Sequence, residues 1–332
     1  MALAIVSAFT FSVFSQESIT GEAETTADAD VEKIIEAQED TIFNDEGVMI
    51  PPLFEYPTAP DDSPSLEART NYLMDHFWDP FDFKNSKIVD QNALNHAFSV
   101  YAGAIPYADA NKVKESIKNI VAKIKGNPGL SYQFAKAAEE NLYGPRASFW
   151  VDELYIPFLE NLMSNKKIDK VKKARFESQL KVLKATQPEQ TMPVFEYVNL
   201  EGMKSKLNPT KKYTIIEFGN PECDDCHLAQ FQFQISGSVN EMMEDGLLDV
   251  MFIIPDDESG ELLPKTKDYP KEWIVGAASE DLFEILDMRA TPTIYVIDRN
   301  GKIVAKNVGP ETAISIVEYN VKEENNKSEK KK

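Results

Sequence analysis

YTIIEFGNPECDDCHLAQ, residues 213–230, is the stretch on which the reading of this chain turns. Tyr213–Phe218 is apolar enough for a buried strand, and Leu228, Phe231 and Ile235 recur at helical spacing beyond it. The pattern predicts a helix from about Asp224, broken near Gly237 and ending at Gly246. Cys223 then stands at a helix amino terminus, where unpaired N–H groups and the positive end of the helix dipole favour a thiolate. Cys226 lies one turn on, on the same helical side, placed to resolve a mixed disulfide. These are the only cysteines in the chain, and a structural zinc site normally needs four ligands. Of the three histidines only His227 is near; His76 and His96 lie more than a hundred residues away. A redox pair fits better, with Cys223 the exposed nucleophile and Cys226 the buried thiol. Glu217 stands six residues before Cys223 on the buried strand. A desolvated carboxyl there has a raised pKa and can move the proton of Cys226. The alternative is a strand-end glutamate that reaches solvent.

Outward from this stretch, strands and helices alternate. Met192–Val198, Leu248–Ile254, Thr293–Ile297 and Lys302–Ala305 read as strands, the last two joined by a turn at Arg299–Asn300–Gly301. Pro255–Glu272 holds three prolines and reads as loop, Ser279–Leu286 as a helix. A final helix is expected from about Pro310 to Tyr319, before a solvated tail, KEENNKSEKKK. From Ser65 to Thr186 the periodicity is helical instead: Leu66, Leu73 and Phe77, then Leu94, Phe98 and Tyr101, then Val113, Ile117 and Ile120. Gly126–Asn127–Pro128–Gly129 stops the third of these helices, and Tyr132–Tyr143, Asp152–Met163 and a run through Val171, Phe176 and Leu183 follow. Trp78 and Trp150 read as core anchors, and Lys170, Lys172, Lys173 and Lys181 as a solvated face. With no nucleophile–base pair, phosphate loop or metal cluster, this part reads as a scaffold or binding surface.

The chain has 332 residues, 42% of them hydrophobic, enough for about two domains with real cores. Its net charge of −20 argues against a nucleic-acid partner. Residues 17–64 carry 14 Asp and Glu against Lys33 alone, so the acidity belongs mainly to one segment. That segment ends in MIPPLFEYPTAPDDSP and is expected to be an extended or disordered linker. Before it, MALAIVSAFTFSVF is too short to span a bilayer and reads as a signal-peptide core, with a buried amino-terminal helix as the alternative. The expected division is a signal peptide over 1–16, linker over 17–64, all-α domain over 65–188, α/β domain over 189–321 and charged tail over 322–332.

The run at 213–230 and the segment WIVGAASEDLFEILDMRATPTIYVIDRNGKIVAKNV, residues 273–308, resemble the TlpA/ResA branch of thioredoxin-like proteins over about residues 190–320. NYLMDHFWDPFDF, NLYGPRASFWVDELYIPFLENLM and FESQLKVLKA resemble the uncharacterised helical domain that precedes such modules in some bacterial envelope proteins. The resemblance implies an α/β thioredoxin-like fold, a central mixed sheet flanked by helices, preceded by an all-α helical domain. It implies that Cys223 is the nucleophile, Cys226 the resolving thiol and Glu217 the buried acid. Pro292 would be a cis-proline facing the thiols and Thr291 its backbone substrate contact. Pro221–Glu222 stands where many relatives carry a tryptophan before the first cysteine.

The function so implied is an exported thiol–disulfide oxidoreductase of the periplasm or cell envelope. It would reduce or exchange disulfides of partner proteins and be fed by an upstream membrane electron donor. No cofactor, nucleic acid or stable membrane span is expected. The rival readings are a copper module using Cys223, Cys226 and His227, and a non-catalytic thioredoxin-fold interaction protein. Glu222, Asp224 and Asp225 crowd Cys223 with negative charge, opposed by His227 when protonated. That charge favours a reductant, with a potential nearer about −270 mV than the about −120 mV of a strong oxidant.

Overall fold

The first four helices begin where a short polar side chain takes up their free amino-terminal N–H groups. Ser65 accepts from Ala68 N and begins α1, Leu66–His76; Asp90 accepts from Ala93 N and begins α2, Gln91–Ala104. Asp109 begins α3, Ala110–Ile124, and Asn127 begins α4, Pro128–Leu142, with proline in the first turn. Each such cap contributes about 1 kcal/mol. The stop expected at Gly126–Gly129 is thus also a start. α5, Asp152–Ser164, and α6, Lys170–Ala185, follow. The computed structural model describes residues 42, 43 and 49–329. They form two compact units that divide in sequence between Glu177 and Ser178. The signal-peptide expectation, and most of the expected linker before residue 49, lie outside the described residues.

The core of the first unit is aromatic. Trp78 lies at 5.2 Å from both Phe77 and Phe134 and at 5.8 Å from Tyr101, centroid to centroid. Trp150 is half-buried and donates to Gly144 O at 3.0 Å. The proline-rich stretch expected to be linker is irregular, but it is not free of this unit. Phe54 sits edge-on to Phe77 and Trp78 at 5.7 and 5.6 Å, and Tyr56 stacks on Phe77 at 5.4 Å.

Ahead of α1, β1, Ile42–Phe43, pairs antiparallel with β2, Met49–Ile50. In the second unit, seven strands order as β4-β3-β7-β6-β5-β8-β9. They are β3 Glu196–Asn199, β4 Lys204–Lys206, β5 Tyr213–Phe218, β6 Leu248–Ile254, β7 Ile274–Ala278, β8 Thr293–Asp298 and β9 Ile303–Lys306. β6 runs parallel to β5 and β7, and β8 antiparallel to β5. α7, Asp224–Ile235, α8, Gly237–Glu244, and α9, Pro310–Glu329, complete it. Alternate residues of β5 and β6 face opposite ways, as a pleated strand requires. Ile215 and Val250 pack with Phe233 and Val317 on one face; Ile216, Met251 and Ile253 pack with Phe195 and Leu286 on the other. The architecture is the expected one, a mixed sheet flanked by helices after a helical region.

Several local expectations are corrected. Of the expected strand Met192–Val198 only the part from Glu196 is strand, and it runs on to Asn199; Pro193 has no N–H to give a ladder, and Met192 N pairs with Gly301 O at 2.8 Å. β7 was hidden by Gly276, which a Cβ would bring within 2.5 Å of the Tyr197 ring, so close packing requires the residue that weakens a strand signal. Ser279–Leu286 is not a helix but a single tight turn at Leu282–Glu284. Its buried Leu282 and Leu286 imitate helical spacing. α9 continues past Tyr319 to Glu329, because Val321 is buried and Glu324 accepts from the Tyr213 hydroxyl at 2.8 Å. Leu228, Phe231 and Ile235 marked α7 correctly but are its exposed side; Cys226, Ala229, Gln230 and Phe233 face inward.

A fragment of residues 49–185 is expected to melt cooperatively as a helical protein when followed by circular dichroism. One beginning at residue 65 should be less stable by about 2–3 kcal/mol, since a large apolar side chain contributes roughly 1.5–3 kcal/mol when fully buried and Phe54 and Tyr56 are half-buried. Equal stability of the two fragments would show that the stretch contributes nothing.

Candidate active site

β5 ends at Phe218 and hands the chain to a turn. Gly219 N donates to Ile253 O at 3.1 Å, Cys223 N to Asn220 O at 3.0 Å, and Asn220 Oδ1 accepts from Glu222 N at 2.8 Å. Cys223 is the N-cap of α7, and its sulfur accepts from Cys226 N at 3.2 Å. The helix terminus therefore addresses this sulfur directly, which is the geometry that stabilises a thiolate. Both cysteines are free thiols; Cys223 is half-buried and Cys226 has no exposed surface.

Two further segments close on the pair. The Thr291–Pro292 peptide bond is cis, and Cys223 Sγ lies 4.0 Å from Thr291 O. The turn before it is fixed by the buried Asp287, which accepts from Arg289 at 2.9 and 2.6 Å and from Lys306 Nζ at 2.7 Å. Burial opposes ionisation of Asp287, but Lys306 and Arg289 together hold its carboxyl below the usual range. From below, Glu217 is 1% exposed and accepts from Gln230 Nε2 at 3.3 Å; its Oε2 has no hydrogen-bond partner. Burial pushes the Glu217 carboxyl up to about 8, the Gln230 bond opposing it only in part. The alternative of a solvent-reaching glutamate is overturned, because the strand is covered on both faces.

Burial also pushes the Cys226 thiol well up, and the neighbouring Cys223 and Glu217 act the same way. Gly219 makes room for the two to converge: a Cβ there would lie 3.1 Å from Cys226 Sγ and 3.3 Å from Glu217 Oε1. A thiol and a carboxyl, both held towards their neutral forms by burial, converge on one point of the site.

The surroundings of Cys223 are less negative than the sequence suggests, because Glu222 forms a close ion pair with Lys265. Asp224 and Asp225 remain exposed in the first turn of α7. His227 directs Nε2 to Pro221 O at 2.8 Å, and among the described residues no three His, Cys, Asp or Glu side chains are grouped to hold a metal. Sequence reasoning missed Gln230, Lys265 and Tyr269. Gln230 had a signal, a polar residue four after Cys226 on the inward side of the helix; the other two sit in the loop and had none.

A sheet of this order with a C-x-x-C pair on the helix after its central strand and a cis-proline opposite defines a thioredoxin-like protein. A crystal structure of a thioredoxin-like protein from Bacteroides caccae matches with a TM-score of 0.67 at 20% identity, covering 81% of this chain and 99% of that one. The chain belongs to the family described as a domain of unknown function, DUF5106, whose model matches residues 15–186. It is a thioredoxin-like protein with an amino-terminal helical DUF5106 region.

Shorter structures also align. A conserved protein of unknown function from Bacteroides fragilis does so at 30% identity over 39% of this chain and 97% of that one, TM-score 0.37. The thioredoxin domain of a thiol-disulfide oxidoreductase from Bacteroides vulgatus does so at 20% identity over 40% and 96%, TM-score 0.35. No curated protein matches the chain. Among the described residues no helix is long and apolar enough to cross a membrane.

Alkylation of the reduced protein near neutral pH should label Cys223 first, read by peptide mass; preferential labelling of Cys226 would reverse the assignment of roles. Glu217→Gln tests the buried acid through stability. Because the folded pKa of about 8 lies above the ordinary 4.5, the native state holds a proton that the unfolded chain releases between them. That stability is present below the lower value and lost as pH rises through the upper one. At about 1.36 kcal/mol per pKa unit, the variant should exceed the native chain by a few kcal/mol at alkaline pH, and by little at acid pH. Parallel denaturation curves at all pH values would contradict this.

Proposed function

We propose that this chain is an exported thiol–disulfide oxidoreductase that reduces or exchanges disulfides of partner proteins in the cell envelope. The observation that carries the reading is the pairing of a helix-capping Cys223 with a buried Cys226 that shares its pocket with Glu217. The Cys223 thiolate attacks a disulfide sulfur of the partner, expelling one partner thiolate and forming a mixed disulfide. Glu217, as the carboxylate, takes the proton of Cys226. The Cys226 thiolate then attacks Cys223 Sγ, the second partner thiolate leaves, and the Cys223–Cys226 bond forms. Two electrons pass to the partner, and an upstream dithiol in the membrane restores the thiols by the reverse sequence. The exposed Thr291 carbonyl beside Cys223 suits a polypeptide substrate, since it is a backbone acceptor set next to the reacting sulfur. Export rests on the apolar run MALAIVSAFTFSVF at residues 1–14.

Reduction is the favoured direction. Asp224 and Asp225 stand unneutralised beside Cys223, while Lys265 removes only the contribution of Glu222. Equilibration with glutathione buffers should give a potential nearer about −270 mV than about −120 mV, and a value above about −160 mV would sink the assignment as a reductant. In cells, Cys226→Ser should accumulate mixed disulfides with envelope proteins and Cys223→Ser should not; equal trapping by both, or by neither, speaks against the mechanism.

A further inference from the structure

The connection from Pro255 to Glu272 carries no sequence motif, yet it meets neighbours of the thiol pair at two points. Lys265 holds Glu222, the residue before Cys223. Tyr269, four residues on, turns inward. We propose that Tyr269 is a positioning residue for Glu217, its hydroxyl set beside the buried carboxyl to favour the carboxylate that accepts the proton of Cys226. This rests on the disulfide-exchange reading above and adds a residue to it.

The placement of Tyr269 is built, not incidental. Both carboxylate oxygens of Asp257 accept backbone N–H groups of the loop, from Leu262 at 3.1 Å and Leu263 at 2.9 Å. Thr266 is buried, and its carbonyl accepts from Tyr269 N at 3.0 Å. The Tyr269 ring then meets Phe252 edge-on at 5.1 Å. Phe252 is the β6 neighbour of Glu217 in register, and its ring would lie 3.0 Å from a Cβ on Gly219, the point where Cys226 Sγ and Glu217 Oε1 also converge. Tyr269 is therefore laid against a ring that borders the point where the reacting groups converge.

The polar ends match as well. The Tyr269 hydroxyl and Glu217 Oε2 are both buried oxygens without a hydrogen-bond partner. Gln230 donates to the other carboxyl oxygen at 3.3 Å and neighbours the Tyr269 hydroxyl without closing a bond to it. Burial holds the phenol at about 12, with Glu217, Cys226 and Cys223 adding to the effect, so it stays a neutral donor throughout. The other groups around Glu217 are Cys226 and Cys223 from α7; β6 and β8 set the uncharged Phe252 and Ile294 beside it. A donor facing a carboxylate favours its ionised form. Gln230 is one such donor, and the Tyr269 O–H, buried and without a partner like the unused Glu217 oxygen, is the second. Tyr269 gives up no proton overall: the proton leaves Cys226, rests on Glu217, and departs with the partner thiol.

The test separates resolution from attack. The reduced full-length protein is treated with the chromogenic aryl disulfide of thionitrobenzoate, which leaves one aryl thiol on Cys223. Its release as Cys226 attacks is followed from mildly acidic to alkaline pH in the native chain, Tyr269→Phe and Glu217→Gln. Tyr269→Phe keeps the ring on Phe252 and should leave the melting temperature at acid pH unchanged. Its resolution profile should move up by about one pH unit, roughly tenfold slower on the acid side, while Glu217→Gln loses the limb altogether. The pH dependence of the Tyr269→Phe melting temperature should shift the same way, a readout that does not depend on the thiols. A native profile in Tyr269→Phe, with the limb lost in Glu217→Gln, overturns the role of Tyr269 and leaves that of Glu217 standing. A limb that survives in Glu217→Gln overturns both.

Discussion

β5 is paired along all six residues on both sides, with β6 in parallel and β8 antiparallel, and layers cover it above and below. A side chain on such a strand has no route to water, and Glu217 is one of them. Burying an ionised carboxylate costs several kcal/mol, and one hydrogen bond from Gln230 returns a fraction of that. The same pairing sets the rest of the site. Phe218 stands opposite Thr293, so the end of β5 and the residues just before β8 must meet, bringing Thr291 and Pro292 to Cys223. Register, rather than any contact between the functional side chains, brings the parts together.

Much of this was legible in the sequence, and the failures share a cause. Tyr213–Phe218 and Leu248–Ile254 were read to the residue, because strands covered on both faces leave an unbroken apolar run. The thiol pair and Glu217 were legible because they sit on or next to such a strand, whereas the cis-proline was implied by the family resemblance alone. Features set by contacts distant in sequence were not. Gly276 answers to the Tyr197 ring, the end of α9 to Tyr213, and Phe54 to aromatic rings on another part of its unit. On α7 the apolar periodicity marked the helix, and Cys226 was read correctly as its buried thiol, but the apolar residues that set the period face outward. Gln230, which faces inward, does not look like a core residue, whereas Leu228 and Phe231, which face outward, do.

The two units draw stability from different sources. The helical unit packs aromatic rings at 5.2–5.8 Å around Trp78 and ties its elements with neutral polar side chains, Ser116 donating to Met74 O and Gln133 bonding both backbone groups of Val89. The sheet-bearing unit spends part of its stability on a buried acid, and gains elsewhere from the Asp287 network with Arg289 and Lys306. That network lies beside the turn leading to Thr291, where movement would be most damaging to the site. A stabilising device thus sits next to a destabilising functional one, a common division between scaffold and chemistry.

The hydrogen bond between Tyr213 and Glu324 joins the first residue of β5 to α9. β8, the antiparallel neighbour of β5, begins eighty residues after β5 does. In a chain made from its amino terminus, the middle of this sheet cannot close until nearly all of it has emerged. Long-range pairing of this kind slows folding, because loop entropy is lost before the contacts that reward it form. The helical unit, built from contacts nearer in sequence, has no such wait. During synthesis the protein would therefore carry a folded head and an open redox segment. Its two cysteines would meet their surroundings before the fold that gives each its separate role.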